Sequence, residues 1–429
     1  MNRHLLLAAV SVAASAQAPM LQDGATALRQ ARLDWTLGQP PPGPSTMPSF
    51  EVGLGGAGSE GAYTPLVGGE GFGVGTRGWG LGLQGRYVRE GWSFSATALA
   101  LRDHGRTLGV LQRAALAYQT ESGWRLALEQ APLAWGAGLN GGDLLGDSAR
   151  PFPRLSLGTP SLELPFGRWR AEVFAGRLEA HPTIPAWIPD NEARRSAETA
   201  GFGLGNPVLR GALLRASFGP LVEGSLGALA LSGGEDQGGR PAPATATRRA
   251  ALVELRVRMP ALARVTGARG ASFTLSRSGA PDSPALSLVP ARNLGGLHLV
   301  WEGWDLGLEY ANSAHSPTPA DFLQPAHLAG FSTRGDALGP AFGREAITRT
   351  VELGLPLFLE GQGRLRALRI TAPADATLRP SSWFLQAEGQ WRTPTGRVGA
   401  SVASRRDQFQ GSGVRWGWTF SLFQAFRVF

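Results

Sequence analysis

One stretch of the chain concentrates side chains able to hold a sugar. Residues 132–159 include Trp135, Gly136, Gly138, Asn140, Gly141, Gly142, Asp143, Asp147, Arg150, Pro151, Phe152 and Pro153. Trp135 offers a flat apolar face on which the C–H side of a pyranose could stack. Asn140, Asp143, Asp147 and Arg150 offer planar polar groups for its hydroxyls, and the glycines allow tight turns with positive φ. A second reading of the same residues is structural: a loop of this composition could fold inward and plug a cavity. Elsewhere Glu235 and Asp236 add acceptors for hydroxyl groups, and Arg334 adds a cation that, like Arg150, suits a uronate or another acidic sugar.

Catalytic patterns are missing. The chain has no G-x-S-x-G elbow, no H-E-x-x-H and no phosphate-binding G-x-x-x-x-G-K-[ST]. Of its six histidines, His315 and His327 flank Asp321 on one long connection, a spacing that favours solvated loop residues over a metal centre. With 0 Cys there is no disulfide, thiolate metal site or thiol nucleophile. No enzyme activity, cofactor or metal is expected, beyond weak Ca²⁺ binding by loop carboxylates.

The elements that must position these residues are strands. From about residue 49 onward apolar and polar residues alternate with a period of two. Val253, Leu255 and Val257 alternate with Glu254, Arg256 and Arg258; Trp304, Leu306, Leu308 and Tyr310 alternate with Asp305, Gly307 and Glu309. Such a strand has water on one side and lipid or core on the other. About eighteen segments of this kind follow one another to the C-terminus, with no linker dividing them. Short connections follow the even-numbered segments, and the longest (132–159, 179–206, 233–246 and 313–344) all follow odd-numbered ones. That sorting predicts an all-β transmembrane antiparallel barrel of about 18 strands, with short periplasmic turns and long extracellular loops. Trp79, Trp92, Trp124, Trp169, Trp304, Trp383 and Trp391 lie near segment ends, where they would form the interfacial girdles. A β-sandwich of this length would need several domains and linkers.

Three organisational expectations follow. Residues 1–16 read as a signal peptide, with Arg3 before a short apolar run and Ala14-Ser15-Ala16 before the cut. Residues 17–48 form a periplasmic N-terminal segment, partly helical and stopped by Pro40, Pro41, Pro42 and Pro44. Residues 49–429 form the barrel, integral to the bacterial outer membrane. The aromatic last strand ends in Phe429, the usual mark read by the barrel-insertion machinery, although Phe429 is out of phase with Trp416, Trp418 and Phe420. The charge of +8 is carried by arginine alone, there being no Lys, and it suits acidic lipid headgroups, lipopolysaccharide or acidic polysaccharide. No basic run or RNA-binding signature points to nucleic acid.

At residues 132–159 the chain resembles the Wzi-type capsule assembly proteins. Their pattern of W-G-x-G, G-x-L-L and A-x-P-F-P is matched by Trp135, Gly136, Gly138, Gly142, Leu144, Leu145, Ala149, Pro151, Phe152 and Pro153. Asp147 and Ser148 differ from the family's usual Ser-x-Asn. Gly234-Glu235-Asp236 with Pro241 is similar to a second motif, and Glu309-Tyr310-Ala311 to a strand end. Gly335 to Gly339 is similar to a third motif, with Asp336 where the family has Arg. The resemblance runs in order from about residue 70 to the end. It implies a monomeric outer-membrane lectin that holds capsular or exopolysaccharide on the cell, with Trp135, Asn140, Asp143, Asp147, Arg150, Glu235, Asp236, Arg334 and Asp336 as candidate sugar-binding residues. The other reading is a substrate-selective channel, its lumen lined by residues such as Glu254, Arg256, Arg258 and Glu309.

Overall fold

The computed structural model describes residues 23–39, 49–61, 77–103, 106–131, 133, 135–139, 145, 152–178, 208–233, 247–281, 288–312, 332–333, 336–337, 347–359, 361–371, 381–394, 396–408 and 414–427. The signal-peptide reading of residues 1–16 and the terminal Phe429 lie outside them.

Eighteen antiparallel strands form the barrel. They are β1 (Ser49–Gly61), β2 (Arg77–Arg89), β3 (Trp92–Asp103), β4 (Arg106–Gln119), β5 (Arg125–Gln130), β6 (Pro153–Gly158, resuming at Leu162–Leu164) and β7 (Gly167–Arg177). Next come β8 (Val208–Phe218), β9 (Val222–Ser232), β10 (Arg248–Arg258), β11 (Gly270–Pro281), β12 (Leu288–Val300) and β13 (Asp305–Asn312). The last five are β14 (Ile347–Leu357), β15 (Gly361–Thr371), β16 (Ser381–Thr393), β17 (Gly396–Gln408) and β18 (Val414–Arg427). Each strand pairs with its chain neighbours, and β18 returns to pair with β1, Val52 opposite Phe426 and Gly58 opposite Phe420. Closure leaves no sheet edge, the only way strands can cross a bilayer with every backbone group satisfied.

The period-two pattern turns the usual arrangement of a protein inside out. Leu226, Leu365 and Leu385 point outward and are exposed, Leu385 to 56 %, while Glu254, Glu309, Glu352, Arg364 and Arg366 point inward and are buried. In a water-soluble protein the apolar set would be the hidden one. Here the outward face meets lipid and the inward face fills the lumen.

Connections after even-numbered strands are turns, for example residues 90–91 and 219–221. Glu90 and Gly91 both have positive φ, and a Cβ on Gly91 would lie 2.5 Å from the Gln119 carbonyl oxygen, so that turn requires glycine. The longest of these connections, 259–269, contains a short helix, Pro260–Thr266, closed by a left-handed Gly267. The long connections lie at the opposite, outer end. Aromatics mark both levels. Trp301 and Trp304 stack at 3.9 Å on the turn side, and Trp92 meets Tyr118 at 4.8 Å there. Trp383 and Trp416 lie toward the loop side.

Two expectations need correction. The loop expected at 132–159 is shorter, because Pro153–Gly158 already pairs with β5 and β7. Pro153 begins the strand, where a missing N–H is tolerated, and β6 kinks at 159–161, with Thr159 still bonded to Ala171. The helix expected within 17–48 is present as α1 (Asp23–Leu37). It does not sit below the barrel as a separate periplasmic segment, because its side chains pair with inward-facing residues of β11, β12, β13 and β14.

Candidate functional site

Two segments enter the lumen from opposite ends. The first is the sugar-like loop itself. Trp135, Leu145 and Phe152 are buried among Phe174, Leu178, Leu209, Leu213, Leu229, Leu231 and Leu252, all inward-facing residues of β7 to β10 or their outer ends. Trp135 and Leu145 form a backbone bridge, with the Trp135 amide donating to the Leu145 carbonyl at 2.9 Å. The Trp135 ring meets Phe174 edge-on at 5.3 Å. A Cβ on Gly211 would come within 2.6 Å of the Trp135 ring, so this wall needs a glycine beneath the indole. A cluster of this kind is a hydrophobic core built inside a barrel.

Beyond Trp135 the loop backbone is captured by wall charges. Ala137 N–H donates to Glu254 at 2.6 Å, and Leu139 N–H donates to Glu309. The Gly138 carbonyl accepts from Arg32 at 3.1 Å and the Leu139 carbonyl from Arg366 at 2.9 Å. Four polar backbone groups on residues 137–139 are thereby satisfied in a place water cannot easily reach.

The second segment is α1, whose side chains continue the same network. Glu352 is its centre: it accepts from Arg32 at 3.1 Å and from Arg366 at 2.5 Å, with Arg364 at 3.6 Å. Burial lowers the pKa of the Arg32 guanidinium, and the neighbouring Glu352 opposes that shift. Arg29 grips Asp305 with two bonds of 2.9 and 3.0 Å. Thr36 bonds Ser272 at 2.7 Å and the Nδ1 of His298 at 3.0 Å. Trp35 lies under the guanidinium groups of Arg256 and Arg258, 5.1 and 4.2 Å from its ring centre. Arg32 is therefore a shared partner: one nitrogen holds the loop at Gly138 and another holds the wall at Glu352. What this arrangement does chemically is seat both segments inside the lumen and pin the loop backbone at 137–139 to the wall and to α1.

The sequence candidates fare unevenly. Trp135 is 1 % exposed and packed in the apolar cluster of the wall, so it presents no face to solvent, and the stacking role gives way to an anchoring one, as the inward-folding reading of the loop expects. The physical reason is the apolar wall of β7 to β10, which offers more burial than solvent does. Asp336 lies in a two-residue ladder with Thr333. Asn140, Asp143, Asp147, Arg150, Glu235, Asp236 and Arg334 lie outside the described residues. Glu254, Arg256, Arg258 and Glu309, expected to line a lumen, do face it, and all four touch plug residues. Sequence reasoning missed Arg32, Glu352 and Arg366. The one available signal was charge on the inward phase of β14 and β15, which was as compatible with an open channel. Among the described residues no cluster of His, Asp and Glu could hold a metal ion.

No protein-family model matches the sequence, and no curated protein matches it. Solved structures do. The chain is similar to Wzi of Escherichia coli, described as an outer membrane protein involved in group 1 capsule assembly and a carbohydrate-binding β-barrel. The TM-score is 0.64 at 15 % identity, over 97 % of this chain and 92 % of that one. It is also similar to Pseudomonas aeruginosa OpdQ (TM-score 0.52, 10 % identity, 89 % and 99 % covered) and to Acinetobacter baumannii OccAB4 (0.51, 10 %, 90 % and 99 %). At these identities the likeness is one of fold: the chain is an 18-stranded barrel of the outer-membrane type, and Wzi, to which its loop residues bear a resemblance, shares that fold across nearly the whole chain.

Proposed function

We propose that this protein is a closed outer-membrane barrel that binds capsular or exopolysaccharide at the cell surface and takes part in holding or assembling the capsule. The observation that carries the proposal is the pair of chain segments seated in the lumen and bonded to its wall. Loop residues 135–139 and α1 meet around Arg32, Glu352 and Arg366, so the wall charges are spent on the protein's own backbone and not on a passing solute. A barrel that devotes its interior to fixing an outer loop is built to present a surface. The carbohydrate binding and capsule role described for Wzi support the same reading. The sugar contacts then fall to Asn140, Asp143, Asp147, Arg150, Glu235, Asp236, Arg334 and Asp336, with Trp135 holding the loop beneath them. The polymer is anchored and not cleaved.

Deleting the gene and measuring polymer on cells and in the medium tests this. Unchanged total polymer that shifts into the medium is the expected result. An unmoved partition would contradict an attachment role. The channel reading keeps one observation in its favour: Arg170 and Arg215 face each other in register on the inward phase of β7 and β8, so two like charges line the wall near the turn end. Steady conductance by the intact protein would support that reading.

A further inference from the structure

On β7 to β18 the outward face of the barrel carries its charge with one sign and within one band of height. Among the described residues of β7 to β18, the inward phase holds every Asp and Glu, from Glu172 to Asp407. The outward phase holds none, and its charged residues are all arginines. Arg177, Arg210, Arg249 and Arg277 lie on β7 to β11, and Arg349, Arg369 and Arg406 lie on β14 to β17. Counted from the turn-side end of its strand, each is seven residues along (Arg277 from Gly270) to ten residues along (Arg177 from Gly167, Arg406 from Gly396). At about 3.3 Å per residue and a strand tilt of roughly 40°, that places them on the order of 18–25 Å above the turns. This is where the hydrocarbon ends on the outer side, and an arginine placed deeper would be strongly disfavoured.

The β14 to β17 set is organised beyond its height. Register partners run without a gap from Arg349 to Arg369, to Trp383, to Arg406 and to Trp416. Arg369 lies over the Trp383 ring at 5.4 Å and Arg406 over the Trp416 ring at 5.5 Å, so the aromatic rings hold the guanidinium groups in place. Directly below the row, on the same four strands, is an open hollow of about 300 Å³ lined by Val351, Leu353, Leu365, Ala367, Leu385 and Val402. Ala367 and Ala387 between the leucines give it depth. Cations held at the headgroup level above an apolar groove match one kind of molecule, with phosphate at one end and acyl chains at the other.

We propose that Arg349, Arg369 and Arg406, with the hollow beneath them, form a specific seat for a phosphorylated glycolipid of the outer leaflet. The guanidinium groups take its phosphates, and the hollow takes an acyl chain. The site is on the lipid-facing side and is independent of the plug and of any polysaccharide contact.

The test is native mass spectrometry of the detergent-purified full chain titrated with bisphosphorylated lipid A, dephosphorylated lipid A and phosphatidylglycerol. Wild type should prefer bisphosphorylated lipid A over both others by tenfold or more. The triple variant R349Q/R369Q/R406Q should lose that preference, and the triple Arg→Lys variant should keep most of it, which separates lost charge from lost fold. Leu385→Trp, which fills the hollow and leaves the arginines, should weaken all acylated lipids together. Equal binding of lipid A with and without phosphate by wild type, an unchanged preference in the Gln variant, or equal competition by phosphatidylglycerol would overturn the assignment.

Discussion

The two plugs occupy one lumen but are held by opposite physics. The outer loop enters beside β7 to β10, where the inward phase is Phe174, Leu209, Leu213, Leu229, Leu231 and Leu252. The helix α1 lies against β10 to β14, where the inward phase is Glu254, Arg258, Ser272, His298, Asp305 and Glu352. One half of the wall is therefore a core that buries an indole, and the other is a socket that meets each charge with a countercharge. Apolar burial is non-directional and tolerates small shifts. A buried ionic socket is directional, and losing one partner leaves a charge uncompensated. The Trp135 end of the loop is thus held by volume, its backbone at 137–139 and the helix are held by directional bonds to charged groups, and Arg32 ties the two.

The comparison can be broken most sharply at Glu352. Glu352→Gln leaves Arg32, Arg364 and Arg366 crowded with no carboxylate between them, apart from the Glu388 partner of Arg364. Breaking a buried pair of this kind costs about 3–5 kcal/mol. Hydrogen exchange over residues 23–37 should rise by orders of magnitude and a flickering conductance should appear. Unchanged protection would mean that the socket does not hold the helix. Trp135→Ala removes the anchor of the other half at a cost of about 3–5 kcal/mol. Its effect should be local, with proteolysis of 131–152 accelerated and exchange in α1 altered only through Arg32. An equal loosening of both segments would show that they form one cooperative unit.

Smaller changes sharpen the contrast. Arg29→Ala leaves Asp305 with its more distant neighbour His298, and the expected loss is about 1–3 kcal/mol. Thr36→Val deletes one hydroxyl shared between Ser272 and His298, worth about 1 kcal/mol. Both should register in thermal melts of the helix signal and leave loop proteolysis unmoved. Raising salt should matter little for any of them, because buried pairs are weakly screened.

Much of the barrel was legible in the sequence. Period-two alternation is a local property, so Val253 and Leu255 against Glu254 and Arg256 announce their two faces without knowledge of any partner strand. The sorting of connection lengths fixed the parity of all eighteen strands. The interior was less legible, because alternation states that Glu309 and Glu352 face inward but not what meets them. Leu139 and Arg32 are distant in sequence from both. From sequence, Trp135 suits a sugar platform, because its neighbours Asn140, Asp143 and Asp147 have sugar-binding chemistry, and equally a loop that folds inward as a plug. The apolar wall that buries it is assembled from Phe174, Leu209 and Leu231 on three separate strands, and no local pattern connects them. Pro153 falls within the loop expected at 132–159, whereas in the structure it starts a strand.

A lumen closed by the protein's own chain passes no current, and single-channel recording in planar bilayers tests that closure most directly. Full-length protein should be electrically silent, and removal of residues 23–39 should produce stable openings. Steady conductance by the full-length protein would contradict the account and make the barrel a channel.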